Sequence, residues 1–394
     1  MPSSESRIRV ALVVTRFIAG AGGVAFRGAL ALDPDRFETT VLTAQHGSLV
    51  DDAAKAGFKV IPLTHMRPDI APREDVAAVR EVAGHLEAGA FHVVHTHSAK
   101  AGLIGRVAAR WNRVPAIVHT FHGFPFHPYQ SRIRRGGYIS IERALGRITD
   151  RFLAVGAAVA SDAVRLGIAP AAGIRAIGSA IDIVPATTPA ARAAARRQLG
   201  IESSARVVGT VGRLDFQKAP TDMFEAFKRL ERDVHFVWIG SGPLADKLHR
   251  LVASAGMSDR FHLLGERRDV PALLPALDVF AMASLYEGLP CSVVEAMTCG
   301  IPVVATAVNA VPEVVVPGRT GLLVPPRKPD QLGRAIQHLL DRPELGSRLA
   351  AAARENLGDR FDVDVLGRDL SETYLSALSD QRRLAQIGPM AWTA

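Results

Sequence analysis

Residues 279–300 read VFAMASLYEGLPCSVVEAMTCG, and this stretch decides the fold. Its apolar start, 279–283, shows no alternation of polar and apolar residues, so it reads as a strand buried on both faces. Gly288, Leu289 and Pro290 make a tight loop, and a helix begins near Ser292. A buried strand that feeds a helix through a short loop is the repeating unit of a parallel sheet. The same pattern extends outward, with strands at 207–211, 235–239, 261–264, 303–305 and 322–324. Upstream it gives strands at 9–14, 39–43, 59–61, 93–97, 116–120 and 152–155, with helical stretches such as 73–86 and 102–111. It pauses at 183–190, IVPATTPA, which reads as a linker. The expectation is an α/β protein of two doubly wound, Rossmann-like domains facing a central cleft at the carboxyl ends of the strands.

Composition agrees. The chain has 394 residues, 48% hydrophobic and 22% charged, which excludes disordered and fibrous classes. Two cysteines, Cys291 and Cys299, are too few for a disulfide framework and lack zinc-site spacing. The start, MPSSESRIRV, has no apolar signal core. No charge-free apolar stretch reaches the roughly 18 residues of a membrane span. The sequence therefore reads as cytoplasmic. Net charge is +8, and residues 1–183 hold 22 Lys+Arg against 15 Asp+Glu, whereas the remainder holds 25 against 24. A basic first half points to phosphates or anionic lipid. Nucleic acid is set aside because no basic motif is interleaved with aromatics.

Three segments carry chemistry. Gly20-Ala21-Gly22-Gly23 sits in the first strand-to-helix loop, where glycines let backbone approach a phosphate. Segment 207–218, VVGTVGRLDFQK, leaves a strand into Gly212, Arg213 and Lys218, a fork and a point charge suited to a diphosphate. Asp215 is the one partner acid the local sequence offers these cations. In the opening segment, the amides of the helix after Pro290 favour an anion. Glu287 and Glu295 offer carboxylates able to accept hydrogen bonds from sugar hydroxyls.

Glu287, seven intervening residues and Glu295 resemble the signature of the retaining glycosyltransferases of family four, which have the GT-B fold. V-G-R-L at 211–214 with Lys218 beyond it, I-G-S-G-P at 239–243 and T-G-L-L-V-P-P at 320–326 agree in order and spacing. His95-Thr96-His97 and Thr120-Phe121-His122-Gly123 resemble the N-terminal domain of that family. The resemblance implies an acceptor-side domain at 1–183, a nucleotide-sugar domain at 204–367 and a C-terminal helix, about 368–394, that crosses back. It implies a nucleotide-diphosphate sugar as donor, with Arg213 and Lys218 on its phosphates, Glu295 on the ribose and Glu287 on the transferred sugar. His122 would lie near the reacting sugar, and the loop with Gly265, Arg267 and Arg268 near the base. Gly22 and Gly23, Gly212, Gly240, and Gly288, Leu289 and Pro290 complete the implied donor site. It implies neither metal nor cofactor. An epimerase or hydrolase of the same fold, or a non-catalytic sugar-binding protein, stays open as an alternative.

The sequence departs from the family pattern in places. Ala219 stands where Gly often follows the Lys, Gly178-Ser179-Ala180-Ile181-Asp182 replaces a common Asn-Gly motif, and Asn309-Ala310 occupies a loop that is often Gly-rich. Among the histidines, 95 and 97 share one face of a strand and His92 the other, which argues for core or cleft residues rather than a metal cluster. Segment 124–152 carries Arg132, Arg134, Arg135, Arg143, Arg147 and Arg151, with Ile141, Leu145, Ile148 and Phe152 at helical spacing. Such a stretch can lie on an anionic membrane surface. It also resembles relatives that build bacterial surface polysaccharides, which implies a lipid-linked or glycan acceptor at the inner face of the plasma membrane.

Overall fold

The computed structural model describes residues 7–18, 20–44, 47–181 and 187–387. Asp182 and residues 183–186 of the linker expected at 183–190 lie outside the described residues. The chain divides into two units, one running to Ala180 and resuming at Phe361, the other Ile181–Arg360.

The first unit contains β1 (Ile8–Val14), α1 (Ala21–Ala31), β2 (Phe37–Ala44), α2 (Val50–Lys55), β3 (Lys59–Leu63), α3 (Pro72–Gly89) and β4 (Val93–His97). It continues with α4 (Ala99–Trp111), β5 (Ala116–Phe121), α5 (Arg132–Gly146), β6 (Arg151–Ala154), α6 (Ala157–Arg165) and β7 (Ile174–Ala176). The second holds α7 (Pro189–Leu199), β8 (Arg206–Val211), α8 (Pro220–Phe227), β9 (Val234–Ile239), α9 (Ala245–Ser254), β10 (Phe261–Leu263), α10 (Val270–Leu273) and β11 (Val279–Met282). It ends with α11 (Cys291–Thr298), β12 (Val303–Thr306), β13 (Leu322–Val324), α12 (Pro329–Leu340) and α13 (Pro343–Leu357). Helix α14 (Val363–Ile387) then belongs to the first unit.

Each unit is built on one parallel sheet. The strand orders are β3-β2-β1-β4-β5-β6-β7 and β10-β9-β8-β11-β12-β13. The order reverses between β1 and β4 in the first unit and between β8 and β11 in the second. Crevices beyond the carboxyl ends of strands at such reversals are where open α/β sheets take ligands. Burial on both faces explains the unalternating apolar runs: Val207 and Val208 of β8 and all four residues of β11 are buried. Helix α14 inserts Leu366, Leu370, Tyr374 and Ala377 into a core made by Val10, Leu32, Phe37, Val93, Ala116, Val118 and Leu153.

Three local expectations need correction. Gly22 and Gly23 are not in an open loop; they lie in the first turn of α1, and both are buried. A Cβ on Gly22 would stand 2.8 Å from the Arg16 carbonyl oxygen, so this glycine serves the close approach of helix and preceding loop. The helical spacing across 141–152 breaks after Gly146. Asp150 donates its N–H to the Ile117 carbonyl, and Phe152 pairs with His119 as part of β6. The returning helix begins at Val363, ahead of the expected 368. Among the described residues, no helix is long and apolar enough to cross a membrane.

Candidate active site

In the second unit, the loops after β8 and β11 flank the sheet reversal, and hydrogen bonds join them. The Leu285 N–H donates to the Gln217 carbonyl at 2.8 Å. The Gln217 amide donates to Glu287 Oε2 at 3.1 Å, and Lys218 Nζ meets Glu287 Oε1 at 2.5 Å. Glu287 is only 7% exposed, so its carboxylate needs these two donors. Its own N–H donates to Asn309 Oδ1 at 2.9 Å. Lys218 therefore does have a partner acid beyond Asp215, and that acid is Glu287. Asp215 accepts the Lys218 backbone N–H at 3.2 Å and stands 3.7 Å from Arg213 Nε. The Arg213 side chain stays largely exposed, 58% accessible.

Beneath this pair, 239–243 packs directly on the V-G-R-L loop. The Leu214 N–H donates to the Ser241 carbonyl at 3.0 Å, and Trp238 Nε1 donates to the Gly212 carbonyl at 2.8 Å. Gly240 has φ +134°, and a Cβ there would fall 2.2 Å from the Gly212 oxygen. Only glycine fits, and this contact sets the height of the loop that carries Arg213 and Lys218. Gly288, Leu289 and Pro290 are buried at the start of α11, whose first turn has no side-chain cap. Glu295 lies on that helix, half-buried. Arg267 is held by its neighbour instead. It donates twice to Asp269, at 2.8 and 2.6 Å, and Asp269 also accepts from Gln198 at 2.6 Å.

The first unit carries polar side chains into its sheet. All of β4 is buried, including His95, Thr96 and His97, so each must find a partner. His95 Nδ1 lies 2.7 Å from the Tyr374 hydroxyl of α14, and its Nε2 lies 2.7 Å from Thr120 Oγ1. His119 Nδ1 lies 2.8 Å from Thr96 Oγ1. His97 Nδ1 lies 2.8 Å from Nε2 of His122, just past β5. Burial keeps these rings neutral: His95 is pushed down to about 3, His122 to about 4, and His97 and His119 well below the ordinary imidazole range. His95 and His97 do share a face, with ring centroids 4.1 Å apart. His92 stands apart and accepts the Arg9 N–H. Among the described residues, no group of three or more His, Cys, Asp or Glu is arranged to hold a metal.

The structure thus joins Gly212, Lys218, Gly240 and Glu287 in one cluster of the second unit, with Arg213 at its edge. His122 belongs to a separate cluster in the first unit. Sequence reasoning missed Gln217, Asn309 and Tyr374 as partners of these groups. Gln217 was adjacent to a chosen residue, but nothing in sequence pairs Tyr374 with His95.

Comparison with known proteins fits this geometry. The first unit matches the glycosyl transferase 4-like domain family over residues 19–180, and the second matches glycosyl transferases group 1 over residues 191–356. The chain is 28% identical over 320 residues to a UDP-Gal:alpha-D-GlcNAc-diphosphoundecaprenol alpha-1,3-galactosyltransferase of Escherichia coli, spanning 78% of this chain and 82% of that one. It is 31% identical to a D-inositol 3-phosphate glycosyltransferase of Xylanimonas cellulosilytica, over 76% of each chain. The crystal structure of Anabaena HepE in complex with UDP and glucose superposes with a TM-score of 0.81 at 22% identity, covering 94% of this chain and 100% of that one. By the extent of these matches, the chain belongs to the family-four glycosyltransferases and has their GT-B fold.

Proposed function

We propose that the protein is a retaining, metal-independent hexosyltransferase that takes its sugar from a nucleotide-diphosphate donor. The observation that carries this reading is the Lys218–Glu287 pair spanning the β8/β11 reversal, with Arg213 exposed beside it. Residues 204–367 bind the donor, and residues 1–183 serve the acceptor side. Arg213 and Lys218 hold the diphosphate, Glu287 the transferred sugar and Glu295 the ribose. The loop from Gly265 to Arg268 meets the base, Gly22 and Gly23 line the first phosphate-side turn, and His122 serves the reacting sugar. The acceptor hydroxyl attacks on the face that the diphosphate leaves, and a diphosphate oxygen takes its proton. Negative charge grows on the leaving group, and fixed cations stabilise it without reorganising.

The acceptor is a lipid-linked or glycan hydroxyl in cell-surface polysaccharide or glycolipid synthesis. The Escherichia coli relative, whose acceptor is a diphosphoundecaprenol-linked sugar, supports this. So does α5, where Arg132 and Arg134 are exposed and Ile133 is 90% exposed between them. That face suits peripheral contact with the anionic cytoplasmic leaflet.

Thermal-shift screening of UDP-, GDP-, ADP- and TDP-sugars tests the donor reading, since bound donor raises stability by mass action. The anomeric configuration of the product then tests retention. No stabilisation by any of the four classes, or an inverted product, overturns the proposal. Flotation with anionic liposomes tests the membrane contact, with binding expected at low salt and release at high salt.

A further inference from the structure

The histidine cluster contains a ring with one nitrogen left over. His97 is buried, its Nδ1 lies 2.8 Å from His122 Nε2, and its own Nε2 is buried without a hydrogen-bond partner. A neutral imidazole has one N–H and one lone pair. Two arrangements satisfy the contact. If His122 Nε2 donates, the His97 proton must sit on Nε2, where it becomes a buried N–H with no acceptor. If His97 Nδ1 donates, what remains on Nε2 is a bare lone pair. Orphaned buried N–H groups are rarer than under-used acceptors, so the second arrangement is favoured. The depressed titration of both rings excludes a shared extra proton near neutral pH.

We propose that His97 is a positioning residue that holds His122 as the Nδ1–H tautomer. His122 Nδ1 has no hydrogen-bond partner among the described residues. His122 then presents a donor, rather than an acceptor, to an oxygen of the bound sugar or diphosphate. This last step rests on the reading that His122 serves the reacting sugar. The His97 ring is itself braced, packed at a 42° tilt against His95, which Tyr374 and Thr120 hold at both nitrogens. The helix that returns from the second unit thereby supports the orientation of His122.

The test is long-range nitrogen–proton NMR of the full chain with labelled histidine, at neutral pH and without ligand. The expected result is a protonated Nδ1 and unprotonated Nε2 on His122, and a protonated Nδ1 on His97. A His122 protonated on Nε2 overturns the inference, whatever the activity. His97→Asn keeps an N–H donor near the Nδ1 position and should preserve the His122 tautomer. His97→Leu should let His122 relax toward its Nε2–H form and lower kcat about 10–100-fold, by analogy with the groups that orient metal-bound histidines through their second nitrogen. A His122 tautomer unchanged in folded His97→Leu overturns the positioning role. Loss of all donor binding with the tautomer as stated would sink the proposed function and leave this inference standing.

Discussion

The ends of β4 and β5 carry four histidines that burial keeps neutral, whereas the loops after β8 and β11 carry a cation and a carboxylate in direct contact. Both groups sit at the carboxyl ends of parallel strands. The difference lies in where the side chains start. His95, His97 and His119 project from strands buried on both faces, where a charge is costly and only hydrogen-bonded neutral rings persist. Lys218 and Glu287 project from loops past the strands, where Gln217 and Asn309 can turn toward the carboxylate and its backbone. Of these two strand-end clusters, the one in the second unit is therefore charged and the one in the first is a set of neutral, hydrogen-bonded rings.

The sharpest way to break this comparison is to remove the cations. Arg213→Ala and Lys218→Ala should each lower kcat about 10²–10³-fold at saturating donor, by analogy with a single oxyanion donor. Arg213→Lys should rescue poorly, because an ammonium cannot reproduce the fork. Lys218→Ala also strands a nearly buried carboxylate, at a cost of about 3 kcal/mol, the low end for a broken buried pair because Gln217 remains. The double variant Lys218→Ala/Glu287→Ala should recover stability but no activity. Near-normal kcat in folded single variants would reduce the pair to a structural contact.

A smaller effect separates the two acids. Glu295→Ala should weaken binding of UDP, GDP or whichever nucleoside diphosphate the screen selects, by about 1.5–3 kcal/mol for a charged hydrogen bond. Glu287→Ala should leave that binding nearly unchanged and depress transfer. Calorimetry with the free nucleotide decides, and equal losses in both variants contradict the division of roles.

The neutral cluster makes its own prediction in pH. An unfolded histidine takes a proton near pH 6.5, whereas His122 and His95 resist it down to about 4 and about 3. The unfolded chain thus binds more protons between these limits, and stability must fall as pH drops below about 6.5. Each such histidine contributes up to about 1.4 kcal/mol per pH unit. Chemical denaturation between pH 7.5 and 5 checks this, and a flat profile would mean the rings are not held neutral. Tyr374→Phe should cost about 1–3 kcal/mol at neutral pH, since a buried His95 nitrogen is left without its partner.

What the sequence made legible follows the same divide. Strand β4 was readable to the residue, because a strand buried on both faces has no alternative period. The shared face of His95 and His97 follows from that reading. Strand β7 was missed, since its three residues, Ile174–Ala176, form a short, half-exposed edge without a buried run. Ile148 and Phe152 mimic helical spacing, yet sheet pairing wins after Gly146. The Lys218–Glu287 contact joins positions 69 residues apart and depends on which two strands flank the reversal. Periodicity can place both strands without showing which side chains meet beyond their ends.

The smallest effects concern two positions that depart from the family pattern, and there the outcomes should differ in kind. Ala219 and Asn309 both adopt left-handed backbone, with φ of 47° and 42°, the region in which glycine is at ease. For Ala219→Gly, relief of about 1–2 kcal/mol of left-handed strain opposes about 0.4–1 kcal/mol of added unfolded-chain entropy. Loss of a buried methyl removes about 0.8 kcal/mol more. These nearly cancel, so the variant should change stability little and leave kcat alone. Asn309→Gly is not the equivalent change. Asparagine tolerates left-handed backbone, so little strain is relieved. The bond from the Glu287 N–H to Asn309 Oδ1 is lost, at about 0.5–1.5 kcal/mol. That bond fixes the backbone of the residue assigned to the transferred sugar, so transfer should fall more than stability. Paired measurement of kcat and melting temperature for both variants decides. If Asn309→Gly keeps full kcat, Glu287 is placed by Lys218 and Gln217 alone, and the loop at 309 is only a turn.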